Sequence, residues 1–186
     1  YSTAFDMNEL PAKYLKQFPE LKGIPIEYQD HHYTHAASGY YTSGYVNAAV
    51  VVIDSIGEWE TLTIWQGSGG KLSRVYSQGY PHSFGLFYSA MTQRLGLKAQ
   101  EDEYILMGMA AYGDADRKHN GTTLKNAIMK ELGIQTHSNK LHTFKKNLHR
   151  GCNWLLPELH TEQDMFDLAA ATQEIYEVML DRVIKL

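Results

Sequence analysis

The run Ala48-Ala49-Val50-Val51-Val52-Ile53, ending at Asp54, is the most continuous apolar stretch in the chain. Unbroken β-branched apolarity predicts a strand covered on both faces, as in the sheet of an α/β protein. Thr61 to Trp65 alternates and predicts the next strand, Ser68-Gly69-Gly70 makes a turn, and Leu72 to Tyr76 reads as a third. Connections this short predict a meander rather than βαβ units. From Ser83 the period lengthens. Phe84, Leu86, Phe87, Met91 and Leu95 share one helix face, with Ser83 as its N-cap and Gly96 as its stop. Further helices are expected over Glu101 to Ala111, closed by Tyr112-Gly113, and over Thr122 to Leu132, with Gly133 as C-cap. A long amphipathic helix is expected from Asp164 to Leu186, with Phe166, Leu168, Ala169, Ile175, Val178, Met179 and Ile184 available for packing. Upstream, Met7 to Phe18 reads as a short helix with Pro11 in its first turn, and Ile24 to Tyr28 as a short strand. Asp30 to Ser38 is helix-compatible, Gly39 to Asn47 reads as a loop, and His137 to Pro157 as irregular.

Composition narrows the class. A chain of 186 residues suits one domain or part of a larger one. The formal net charge of -4 lacks the basic footprint that duplex nucleic acid asks for. Cys152 is the only cysteine, which excludes an intramolecular disulfide and a Cys-cluster zinc site. No apolar run is long enough to cross a bilayer as a helix, and the N-terminus has no signal-type segment. The expectation is a cytoplasmic globular protein with neither membrane nor nucleic acid as a partner. Because the chain starts at Tyr1 and its last helix has no stop signal, it is expected to be a piece of a longer protein.

The sharpest chemical signal is His31-x-x-x-His35. Four residues apart on a helix lie on one face, so both imidazoles can reach one ion while His32 turns away. Asp54, ending the apolar strand, is the natural anionic third ligand. Two histidines and a carboxylate with open positions suit Fe(II), Mn(II) or Zn(II). The same spacing also serves purely structural histidine pairs, and it is not a zincin motif, because His32 stands where Glu is required. Asp54 to Thr61 reads either as a phosphate or metal hairpin or as an ordinary one with Asp54 and Glu58 solvated. Ser83 can cap a helix or add an anion site. Glu103 sits in the first turn of the next helix, where it favours the dipole and can also touch a ligand. Lys140 to Arg150 reads as a solvated basic loop, and Cys152 as a core residue. Tyr40, Tyr41 and Tyr45 can stack on a ligand or simply pack.

Four blocks then resemble one family in order. His31-His32-Tyr33-Thr34-His35-Ala36-Ala37-Ser38 resembles the H-H-x-x-H-A-A-S block of the O-carbamoyltransferases of the nodulation-protein, cephamycin and tobramycin type. Val52 to Thr61 is similar to their I-D-G-x-G-E-W-x-T block, Tyr80 to Ser89 to F-P-H-S-L-G-x-x-Y-S, and Glu103 to Gly113 to E-x-K-x-M-G-L-A-x-Y-G. The resemblance implies an ASKHA (actin/hexokinase/Hsp70-type) fold, here a partial α/β domain with a mixed, meander-containing sheet flanked by helices. It implies a single domain over residues 1–186, an inner portion of the N-terminal part, without the carbamoyladenylate-forming domain. ATP and carbamoyl phosphate would form carbamoyladenylate, and the carbamoyl group would pass to the hydroxyl of a small-molecule acceptor. By the same resemblance His31, His35 and Asp54 would hold Fe(II) or a similar ion. Ser83, Glu103, Gly57 and Glu58 would lie near the carbamoyladenylate. The remaining domains of the same protein would be partners. Ser55 departs from the usual Gly, and Ile105 from the usual Lys, removing a cation near the phosphates. Two alternatives stay open: a non-catalytic metal- or nucleotide-binding module, and a threonylcarbamoyl-tRNA-type transferase.

Overall fold

A computed structural model describes residues 9–135 and 141–186. Met7 and Asn8, at the start of the first expected helix, lie outside the described residues. So do His137 to Lys140, where the expected irregular stretch and basic loop begin. The described chain opens with α1 (Leu10–Leu15), with Pro11 in its first turn. The segment expected as a strand, Ile24 to Tyr28, pairs with no strand among the described residues, and Ile24 and Tyr28 are exposed. Without a neighbouring edge its backbone has no ladder to join.

Helix α2 (His31–Ser43) starts at Asp30, whose carboxylate accepts the Tyr33 N–H at 2.6 Å. It ends at Gly44, whose φ of 75° closes it in the left-handed conformation. The helix therefore runs on into the expected loop by more than a turn. Tyr40 explains this: it is buried against Gly67, and its hydroxyl donates to the Val46 carbonyl at 2.7 Å. The tyrosine serves packing and pins α2 to the sheet.

Strands β1 (Asn47–Gly57), β2 (Glu60–Ser68) and β3 (Lys71–Gly79) form the expected meander, in the order β1-β2-β3. All its pairings are antiparallel, so the sheet is not mixed among the described residues. Coverage of β1 on both faces is corrected too. Val52 is buried under α2 with Ala36 and Trp65, but Val51 is 38% exposed, because β1 is an edge strand and the second layer reaches only its far half. On that second side Leu62, Ile53 and Ile64 meet α3 (Phe84–Arg94) and the main core. Next come α4 (Glu103–Met109), the two-residue strands β4 (Lys118–His119) and β5 (Thr122–Thr123), α5 (Leu124–Leu132), and the small pair β6 (Ile134–Gln135) and β7 (Thr143–Phe144). These two short hairpins carry no periodic signal in the sequence. Helix α6 (Glu162–Ile184) buries Leu168, Ala169, Ile175 and Met179 against α3, α4 and α5, while Val178 and Ile184 face outward. Full burial of side chains such as Phe84, Phe87, Leu168 and Ile175 contributes roughly 1.5–3 kcal/mol each, before the opposing loss of chain entropy. Cys152 is a core residue. Its thiol donates to the Ala90 carbonyl at 3.3 Å, and burial pushes its pKa up to about 12. In the basic loop Lys145, Lys146 and Arg150 are exposed.

One polar network ties the start of α6 to the core. Thr161 and Asp164 form a reciprocal capping box. Arg117 bonds Asp164 at 2.5 Å and Asp167 at 2.8 Å. Hydrogen bonds from Thr161, joined by Arg117, hold the Asp164 carboxyl well below the usual carboxylate range. Burial alone would raise Asp167, but bonds from Arg117, the Asp114 N–H and Gln163 outweigh it and lower its pKa. Depressed carboxylate pKa values stabilise the fold above the unfolded value near about 4 and lose that stabilisation as pH falls through the folded value. Arg117→Met should therefore cost about 2–3 kcal/mol at pH 7, less than a fully buried pair because Arg117 stays 35% exposed. Urea titrations at pH 7 and pH 3 check this: the variant should lose less stability than wild type on acidification, and parallel losses would remove the network from the account.

Candidate metal centre

The histidine pair stands at the first turn of α2. His31 is its first residue and His35 lies one turn on, so both imidazoles project from one face. Their Nε2 atoms are 3.1 Å apart. Asp54 arrives from β1. Asp54 follows Val52 by two residues and so shares the face of β1 that lies under α2, just before the register of β1 against β2 shifts between Ile53 and Gly57. Its Oδ2 lies 2.8 Å from His31 Nε2. One ligand atom from each of the three residues lies within 4.8 Å of the others, with His35 exposed and the other two half-buried. Ligand atoms about 2.1 Å from an ion and at right angles sit about 3 Å apart, which the two bonded separations match. The donor set and spacing thus fit a divalent cation. Burial pushes Asp54 upward, but the His31 ring and the Ser55 N–H, at 2.6 Å, outweigh it, so the carboxyl stays ionised to lower pH than usual.

The other predicted residues take different places. Ser83 is buried, and its hydroxyl is engaged: it caps α3 by accepting the Leu86 N–H at 3.0 Å and donates to the Ser55 carbonyl at 2.7 Å. It thereby ties the start of α3 to the end of β1. Gly57 sits at the close of the β1 irregularity, against His31 and His32. Glu58 is exposed at the β1–β2 turn, with a φ of 61°. Glu103 accepts bonds from Ser89 and the Gln100 N–H, both at 2.6 Å, and lines a cleft of about 750 Å³ with Asp54, Ser55, Tyr88, Tyr104 and Gln173. So Glu103 and Asp54 border one space, whereas Ser83 is buried and Glu58 stands in the β1–β2 turn, and neither lines that cleft. Ile105 is half-buried and brings no charge.

Two supporting features lie beyond the sequence reading. Gly85 lets the first turn of α3 lie against the backbone of Asp54 and Ser55. Behind the histidine pair, the Thr63 hydroxyl on β2 bonds the ring of His32 and also takes the indole N–H of Trp65. The glycine beside an N-cap was a visible signal for close helix approach. The threonine had none, because only the strand pairing brings it under α2.

These features define an α/β domain in which a helix-borne histidine pair meets a carboxylate from the last residues of a strand. The chain belongs to the carbamoyltransferase family, matching the carbamoyltransferase N-terminus over residues 5–183. It is 43% identical over 90 residues to an uncharacterized protein of Synechocystis sp., 48% of this chain and 15% of that protein. It is also 38% identical over 88 residues to nodulation protein NolO of Bradyrhizobium diazoefficiens, 47% of this chain and 16% of the relative. With nodulation protein NolNO of Sinorhizobium fredii it shares 33% identity over 89 residues, 48% of this chain and 13% of that one. The matched stretches thus span no more than 16% of these relatives' length. No helix among the described residues is long and apolar enough to cross a membrane.

Proposed function

We propose that this chain is the metal-holding part of an ATP-dependent O-carbamoyltransferase with an ASKHA-like fold, using His31, His35 and Asp54 to hold Fe(II) or a similar ion. The observation that carries the reading is the convergence of those three side chains from two elements onto one point. The ion, when bound, supplies Lewis-acid polarisation of a carbamoyl group. The chain's own residues do the rest. Asp54 offers the negative charge that balances a dication, and its low pKa keeps that charge available. Ser83 and Gly85 fix the strand end that carries Asp54. Glu103, which lines the same cleft as Asp54, is placed to accept a bond from a hydroxyl or amino group of a ligand. Carbamoyladenylate, formed elsewhere from ATP and carbamoyl phosphate, would be the donor, and a small-molecule hydroxyl the acceptor. The small share of the relatives' length matched here favours a second reading, a holding module that acts only with the rest of a longer protein.

Binding of a non-hydrolysable carbamoyladenylate analogue to the Co(II)-loaded chain tests the proposal. The analogue should perturb the visible Co(II) spectrum and bind at least about tenfold more tightly with metal than without, or about 1.4 kcal/mol. Equal binding in the two states would remove the metal from donor recognition.

A further inference from the structure

We propose that His32, through its hydrogen bond with Thr63 and the Trp65 indole behind it, is the positioning residue that aligns the histidine pair with Asp54. The inference rests on the metal reading above for its purpose, and on separate atoms for its evidence.

His32 follows the first candidate ligand and is fully buried, its ring 5.8 Å from that of His31 and turned toward Thr63 on β2. Its Nδ1 lies 2.9 Å from the Thr63 hydroxyl, and the same hydroxyl accepts the Trp65 indole N–H at 2.8 Å. A hydroxyl has one proton to give. Donating it to His32 satisfies the whole chain of bonds, so Nδ1 is the acceptor and Nε2 carries the ring's hydrogen. That Nε2 has no partner among the described residues. It lies instead against Gly57, where an added Cβ would sit 2.9 Å from it and 2.7 Å from His32 Cδ2, with the His31 ring on the same glycine.

The ring is thus a spacer with two contacts. On one side it fixes the distance from α2 to β2 through Thr63. On the other it presses on Gly57, the residue at which β1 regains its pairing with β2. Asp54 lies inside that shifted segment, and His31 is the spacer's neighbour on the helix. One buried side chain therefore sets both halves of the cluster relative to each other. Burying an imidazole with one nitrogen unpartnered is costly, and a core needing only bulk there would be served by an apolar ring. Partners behind metal ligands typically change affinity by about 10–100-fold when removed.

His32→Phe keeps the ring and loses the acceptor, and Thr63→Val removes the hydroxyl at nearly constant shape. Two measurements separate the possibilities. In the metal-free chain, long-range ¹H–¹⁵N spectra report the His31 ring nitrogen that faces Asp54. That signal should shift in both variants, and unchanged signals in folded variants overturn the proposal whether or not metal binds. Under Co(II) titration, both variants should lose about tenfold or more in affinity, with an altered visible spectrum. His32→Asn, which can still accept from Thr63, should recover part of both. Wild-type affinity and spectrum in folded His32→Phe and Thr63→Val would assign the bonds to structure alone. A wild-type chain that takes no Co(II) would defeat the metal reading, and the metal-free spectra would still decide the role of His32.

Discussion

His35→Ala is expected to lower the chain's affinity for Fe(II) or Co(II) by more than roughly a hundredfold, beyond the range for groups that only support a ligand. The proposed site offers three protein ligands, so the loss of one leaves a histidine and a carboxylate, a pair that exposed surfaces offer without binding ions tightly. The fold should not notice. His35 is exposed, and its bond to His31 is a solvent-facing contact between two imidazoles, so the melting temperature should stay within the small change usual for surface substitutions. That separation gives the experiment its force. After anaerobic loading and desalting, metal analysis should find about one ion per wild-type chain and none held by the variant, with both chains equally folded. Equal stoichiometry would show that the ion, if any, is held elsewhere. Asp54→Asn is the companion: it keeps the shape, removes the charge, and should weaken binding in the same direction.

The histidine pair was legible in the sequence because its geometry is local: four residues on a helix need no knowledge of the fold. Asp54 was legible as the carboxylate closing the apolar run, although the strand expected to end there continues to Gly57. Its aim was not, because alternation puts it on the face it shares with Val52, but only tertiary packing lays α2 over that face. Ser83 divides in the same way. Its capping role follows from a serine before an apolar period, and the structure bears that out. Its bond to the Ser55 carbonyl is a contact 28 residues away in the chain, and nothing local announces it. The apolar run of β1 misled on coverage because apolarity signals a surface that can be covered, and an edge strand meets that condition without full cover. Helix stops were readable where the cap is a glycine after an apolar period: Gly96 and Gly133 both take the left-handed conformation. Gly44 does the same, but the tyrosines before it carry no clear period, and the end of α2 was lost among them. The meander followed from connection length, whereas the two small hairpins, each strand only two residues long, are too short to show any alternation.

Gly85→Ala should destabilise the chain and weaken metal binding together, against the usual rule for glycine in a helix. By propensity the change favours folding by about 1 kcal/mol. Space decides otherwise. A Cβ on Gly85 would lie 2.9 Å from the Asp54 carbonyl oxygen and from Cα and N of Ser55. These are backbone atoms of a strand, so no side-chain rotation relieves the contact, and α3 must move off the end of β1. That movement breaks the Ser83 bond to Ser55, worth about 1 kcal/mol, and loosens Phe84 and Phe87 in the core, where overpacking costs typically about 1–3 kcal/mol. The net expectation, after the propensity gain, is a loss of about 1–3 kcal/mol in urea unfolding. Because the displaced backbone carries Asp54, Co(II) affinity should also fall by about tenfold or more. Gly108 supplies the control. It lies in α4 with nothing within 4 Å of an added Cβ, so Gly108→Ala should stabilise by about 0.5–1 kcal/mol and leave metal affinity unchanged. If both alanines raised the melting temperature alike, the seam between α3 and β1 would be slack, and Asp54 would owe its place to the β1–β2 register alone.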